Sequence, residues 1–139
     1  MKLAYVSLLL LAGWWLCPAG ALGSRNIECD LVLCHNVVNN LPRNIDKIFN
    51  TGSKIYAYLS VTDIKNGVHK IEFYWYNRKG GQESLFSREV TVRDNSHVIW
   101  SWLKLKEPEV LYDMSFPGRW KVKVYIDGDY AAEEYFRVR

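Results

Sequence analysis

The chain has few residues able to do chemistry, and their spacing decides what they can do. His69-Lys-Ile-Glu72 offers two metal-type donors three positions apart. On a strand that separation puts the side chains on opposite faces, so they cannot share an ion. Adjacent Cys34-His35 fails for the same reason, and His35, His69 and His97 lie far apart in the chain. Asp127-Gly-Asp129 supplies two carboxylates where calcium takes about 6–8 oxygens, and turn chemistry accounts for both. Nucleophilic hydrolysis needs a nucleophile, a base and an orienting group within reach of one another. There is no Gly-x-Ser-x-Gly elbow, and no cysteine sits in a catalytic context. The chain reads as a non-enzyme that needs no metal or cofactor.

The remaining chemistry is aromatic. Tyr56 and Tyr58 fall on the polar parity of one strand, and Tyr74 and Tyr76 on that of the next. If Asn66-Gly67 joins those strands as a hairpin, the four tyrosines form one patch on the outside of a sheet. Trp100 and Trp102 share a parity on a strand whose other face carries Ile99 and Leu103, so that strand is either covered on both sides or exposes a tryptophan. Tyr56, Tyr58, Tyr74, Tyr76 and Trp102 are therefore the candidate binding residues. Rings with polar tips suit sugars, peptide strands or a partner surface. The competing reading is structural, since cross-strand aromatic pairs stabilise a sheet by about 0.2–1 kcal/mol each.

The elements that position these residues are strands. Trp120, Val122, Val124 and Ile126 alternate with Arg119, Lys121, Lys123 and Tyr125, which is the period of two of a half-buried strand. Asp127-Gly128 turns the chain into Tyr130–Val138. A two-residue loop would leave Phe136 and Val138 facing solvent, so an odd-length loop with a bulge is expected, turning Tyr130, Ala132, Phe136 and Val138 inward. Glu134 is an awkward member of that inward set. Upstream, Asp30–Val37 reads as a first strand, followed by turn chemistry at Asn39–Asn44. Ile45–Phe49 reads as one helical turn. Strands follow at Lys54–Ile64, His69–Arg78, Glu83–Arg93 and His97–Leu105, with an irregularity expected near Ser87. Trp75 and Trp120 read as core. About seven strands with turn signals every 8–12 residues and little helix predict an all-β, immunoglobulin-like antiparallel sandwich.

The first 23 of the 139 residues read as a cleavable signal peptide: Lys2, then the apolar run Leu3–Leu16, then small-x-small patterns ending at Gly23. Residues 24–139 then form one domain, exported to the periplasm or outside the cell, with no transmembrane anchor after cleavage. The formal net charge is only +3, with basic residues scattered among acids, which argues against a nucleic-acid partner. Export makes a Cys29–Cys34 disulfide possible. Five residues of extended strand hold Cα atoms about 16 Å apart, however, and a disulfide needs about 4.4–6.8 Å, so the bond requires a tight bend around Asp30. The other reading is a buried thiol at Cys34 with Cys29 just outside.

Several segments together resemble an uncharacterised family of exported bacterial immunoglobulin-like domains, a domain of unknown function. They are the apolar first strand running into Asn39-Asn-Leu-Pro42, Phe49 ahead of the Lys54–Thr62 strand, and the aromatic Phe73-Tyr-Trp-Tyr76. The Trp102 strand, Gly118-Arg-Trp-Lys-Val-Lys-Val124 and the final Phe136-Arg-Val138 complete the set. The resemblance spans roughly residues 31–138. It implies a sandwich in the cell envelope and carries over no catalytic residue. The expected function is a binding or assembly module recognising an envelope protein through an aromatic sheet face, with carbohydrate binding by the same tyrosine and tryptophan surface as the alternative. Unpaired edge strands would also permit a homodimer.

Overall fold

The computed structural model describes residues 26–107 and 117–139. The signal-peptide reading of residues 1–23 and most of the connection 106–115 lie outside them. Nine strands run in chain order: β1 (Glu28–Val38), β2 (Leu41–Ile45), β3 (Ile48–Phe49), β4 (Lys54–Thr62), β5 (Gly67–Tyr76), β6 (Gln82–Val92), β7 (Ser96–Lys104), β8 (Gly118–Ile126) and β9 (Asp129–Val138). Seven are long, and β2 and β3 are short additions. They form two sheets. Sheet A has the order β2-β1-β4-β7, and sheet B the order β3-β9-β8-β5-β6.

The alternation in the sequence builds the interface between the sheets. Ile55, Ala57, Leu59 and Val61 of β4 face Ile71, Phe73 and Trp75 of β5 and Trp120, Val122 and Val124 of β8 within one buried cluster. Phe136 sits at its centre, edge-on to Trp75 at 5.9 Å and to Phe49 at 5.9 Å. A polar link crosses the core: the Trp75 indole N–H donates to Ser101 Oγ of β7 at 3.3 Å, and both residues are buried. An indole buried this deeply needs such a partner.

Several expectations are corrected by the connections. Asn66-Gly67 does not close a hairpin, because β4 and β5 lie in different sheets. The apolar faces of the two strands meet across the core rather than side by side, and Ile64 is buried at the crossing. The Asn66 side chain instead accepts from the Asn95 N–H at 2.8 Å, and Asn95 Nδ2 donates to the Ile64 carbonyl at 2.9 Å. These bonds tie the β4–β5 crossing to the β6–β7 crossing.

Asp127-Gly128 is a two-residue turn after all, with φ of 53° and 83° and Ile126 opposite Asp129. Those left-handed values match the twist of the flanking strands. The expected bulge exists but lies further on, where Ala131 is inserted between Tyr125↔Tyr130 and Val124↔Ala132. It brings Phe136 and Val138 inward, as the apolar pattern requires, while Tyr130 stays outside at 56% exposure. Glu134, opposite Val122, finds Lys47 Nζ at 3.5 Å.

Ile45–Phe49 forms no helical turn, since five residues cannot nucleate a helix without support. The Asp46 carboxylate accepts from the N–H groups of Lys47 (2.7 Å) and Ile48 (3.1 Å), bending the chain. β3 then pairs in parallel with β9, Phe49 opposite Val138. The irregularity near Ser87 is also absent. Phe86 shares the inward parity of Val90 and Val92 and packs on Phe73 at 5.9 Å, while Leu85 faces out. The register shift falls at Trp75/Tyr76, opposite Ser84 and Gln82. There Asn77 accepts from Lys79 and Gly81 and donates to Glu83 at 2.7 Å.

Cys29 and Cys34 are free. β1 pairs with β4 without a break from Glu28 to Cys34, so the bend at Asp30 that a disulfide requires does not occur. Burial raises the pKa of both thiols, which makes them poor nucleophiles. Among the described residues no helix is long and apolar enough to cross a membrane.

Candidate functional site

The sheet assignment divides the candidate residues. Tyr56, Tyr58 and Trp102 lie on the outer face of sheet A, and Tyr74 and Tyr76 on the outer face of sheet B. The single four-tyrosine patch therefore does not exist, because the sandwich core separates its halves.

On sheet A, β4 and β7 pair in unbroken register, setting Tyr56 opposite Trp102 and Tyr58 opposite Trp100. Tyr58 stacks near-parallel on Trp100 at 6.4 Å and is only 8% exposed. Its hydroxyl donates to the Asn40 carbonyl at 2.7 Å, pinning the β1–β2 turn over the sheet. Burial raises its phenol pKa. Tyr58 is thus a structural residue that supports Trp100, and little of it can meet a ligand. Trp102 is 52% exposed. Lys54 Nζ lies 3.9 Å over its ring and 5.0 Å from that of Tyr56. This cation–π arrangement places a positive charge over the exposed indole.

β7 is the edge of sheet A, and beside it β6 is the edge of sheet B. A groove of about 930 Å³ runs between them, with Trp100, Trp102, Val98, Phe86, Arg88 and His97 in its lining. Phe86 of β6 is half-buried at this groove.

On sheet B the tyrosines form a run across three strands. Tyr76 stacks on Tyr74 at 6.4 Å, Tyr74 meets Tyr125 edge-on at 5.3 Å, and Tyr125 meets Tyr130 at 6.2 Å. The Tyr74 hydroxyl donates to Glu72 at 3.0 Å, the main reason its pKa is raised. The alternating β8 residues Arg119, Lys121 and Lys123 stand among these rings. Sequence reasoning missed Tyr125, Tyr130, Tyr135 and these cations as a surface. The outward parity of Tyr125 and the cations on β8 was visible, but the neighbours of β8 were not, and Tyr130 of β9 was expected inward.

The described residues include two imidazole–carboxylate pairs, His69–Asp127 and His35–Asp46. His69 Nδ1 meets Asp127 at 2.5 Å while Nε2 meets the Lys65 carbonyl at 2.6 Å, so neither ring nitrogen is left for a substrate. His35 meets Asp46 at 3.2 Å on the surface and packs on the Phe49 ring. Among the described residues, no three His, Cys, Asp or Glu side chains cluster to hold a metal.

Strands β1, β4 and β7 packed against β9, β8, β5 and β6, with sheet switches at β4–β5 and β6–β7, define an immunoglobulin-like β-sandwich. The chain matches no protein-family model and no curated protein. Among solved structures it is similar to an immunoglobulin-like protein from Pseudomonas aeruginosa, at 15% identity and TM-score 0.51, covering 84% of this chain and 99% of that one. It is also similar to part of a Pseudomonas fluorescens alkylpurine DNA glycosylase bound to DNA containing an abasic-site analogue. That likeness has 13% identity and TM-score 0.56, covering 86% of this chain and 32% of the glycosylase. A putative β-galactosidase from Bacteroides fragilis matches at 16% identity and TM-score 0.50 over 76% of this chain and 15% of its own length. The chain thus spans about a third of the glycosylase and a smaller part of the galactosidase, and at these identities the likeness shows the fold alone.

Proposed function

We propose that the protein is an exported, non-enzymatic binding or assembly module of the bacterial cell envelope that recognises a protein partner at the β7 edge of sheet A. The observation that carries this reading is Trp102, an indole half exposed on the strand that ends sheet A among the described residues. Edge strands normally carry charge or proline against unwanted pairing. β7 reads Ser-His-Val-Ile-Trp-Ser-Trp-Leu-Lys, with its one lysine at the very end, whereas β6 carries Glu83, Arg88 and Glu89. Aromatic anchors in a rim of polar groups dominate protein interfaces, and an open edge offers main-chain hydrogen bonds to an incoming strand. The apolar leader in residues 3–16 supports export.

The test is crosslinking capture from envelope fractions with a photoreactive residue at Val98, comparing wild type with Trp102→Ala. A partner crosslinked by wild type and lost in the variant, with both proteins equally folded, supports the reading. Identical recovery with both proteins, or a partner found only in cytoplasmic fractions, would count against it. A second copy of this chain as the crosslinked species would make β7 a homodimer edge instead.

A further inference from the structure

The outer face of sheet B carries a surface of different chemistry. Cross-strand register sets out its rows: Arg137 beside Arg119, then Tyr135–Lys121–Tyr76, then Glu133–Lys123–Tyr74, then Tyr130–Tyr125–Glu72. Four cations thus occupy the first three rows against one carboxylate. Arg119 and Arg137 are directly opposite each other, a pairing that destabilises a sheet. Lys121 and Lys123 follow Arg119 at intervals of about 7 Å along the same strand. Among the described residues none of these four side chains forms an ion pair. The contacts they do make are with rings: the Arg119 guanidinium lies 3.8 Å over Tyr135 and Lys121 Nζ 5.3 Å over Tyr76. Self-repulsion of this kind costs the fold stability and is relieved by an anion laid across it.

We propose that this face binds an acidic polysaccharide. Charge complementarity selects a polyanion, and the extent of the surface, over three adjacent strands with no enclosing wall among the described residues, suits a chain rather than a small ion. The companions of the cations select among polyanions. Glu133 within the basic rows, and Glu72 in the row beside them, where it accepts from the Tyr74 hydroxyl and lies 3.9 Å from Lys70 Nζ, supply hydrogen-bond acceptors. Sugar hydroxyls donate to such acceptors, whereas a phosphodiester backbone has no donors and is repelled by them. Tyr74, Tyr76 and Tyr135 add ring faces for the C–H faces of pyranoses and hydroxyls for their polar edges. The site stands on the opposite side of the sandwich from Trp102 and does not depend on the protein-partner reading.

The test uses the protein in its native processed form, with polygalacturonate as the acidic probe, a neutral galactan, a single-stranded DNA oligonucleotide and phosphatidylglycerol vesicles as comparators. Binding is read by affinity electrophoresis and calorimetry at two salt concentrations. The expected result is salt-sensitive binding of polygalacturonate and not of galactan, weakened at least tenfold in Arg119→Gln/Arg137→Gln and in Lys121→Gln/Lys123→Gln. These are surface changes whose folding is checked by circular dichroism, and Trp102→Ala should bind the polymer as wild type does. No binding of polygalacturonate, equal binding of galactan, tighter binding of DNA or vesicles, or undiminished binding by folded variants would each overturn the proposal.

Discussion

Removing the Ser101 hydroxyl should cost more than its size suggests. Ser101 lies between Trp100 and Trp102 on β7 with its side chain turned inward, and Trp75 donates its indole N–H to it at 3.3 Å. The bond is longer than the usual 2.9–3.0 Å, so its own worth is at the low end, about 0.5–1 kcal/mol. Ser101→Ala leaves the indole N–H of a fully buried tryptophan without a partner, and an orphaned buried donor costs about 1–3 kcal/mol. The cavity left by one oxygen is small. The combined expectation is a loss of about 1–2 kcal/mol, which at about 4 °C per kcal/mol for a domain of this size lowers Tm by about 4–8 °C. Urea unfolding followed by tryptophan fluorescence would measure it. A cycle with Trp75→Phe separates the bond from the packing. In the phenylalanine background Ser101→Ala should cost about 1 kcal/mol less, because no N–H remains to be orphaned. A change below about 0.5 kcal/mol in the wild-type background, or a coupling near zero, would refute the view that this link docks β7 onto sheet B.

The His69–Asp127 pair should make stability depend on pH in a defined window. The Asp127 carboxylate raises the His69 pKa above the ordinary imidazole value, against burial and with help from the Lys65 carbonyl. Burial alone would raise Asp127, but the His69 ring and the Lys70 N–H bring it below the ordinary carboxylate value. The histidine contribution is therefore complete below an imidazole's usual pKa and is lost as pH rises through the raised value. The aspartate contribution holds above a carboxylate's usual pKa and is lost as pH falls through the lowered one. His69→Gln should cost about 1 kcal/mol near pH 5.5, discounted for the half-exposed Asp127, and less at pH 8.5, by urea titration at the two values. His97, whose pKa burial lowers, opposes this trend in both proteins and cancels in the difference. For the cysteines, alkylation under denaturing, non-reducing conditions followed by peptide mass spectrometry should find Cys29 and Cys34 both modified, and reductant should leave Tm unchanged. Recovery of a linked Cys29–Cys34 peptide would contradict the unbroken β1–β4 pairing.

The sequence by itself determined the seven long strands and, for β4, β5 and β8, which face is apolar. The period of two in β4, β5 and β8 can be satisfied only by a pleated strand with one buried side, so Trp75, Trp120, Ile55 and Leu59 were legible as core. The exposed or covered alternatives for Trp102 were equally visible, because they follow from parity. What the sequence left open was which strands are neighbours. A crossing between sheets and a hairpin within one can use the same turn residues, and Asn66-Gly67 serves the former only because the apolar faces of β4 and β5 bury more by meeting across the core. That choice separated Tyr56 from Tyr74. Pairing β5 with β8 brought Tyr74 and Tyr76 beside Lys121 and Lys123, and pairing β8 with β9 set Arg119 against Arg137. Charge looks scattered when read along the chain because strand neighbours are distant in sequence. Only the register between strands, fixed by burial of Phe136 and Val138 through the bulge at Ala131, gathers it on one face.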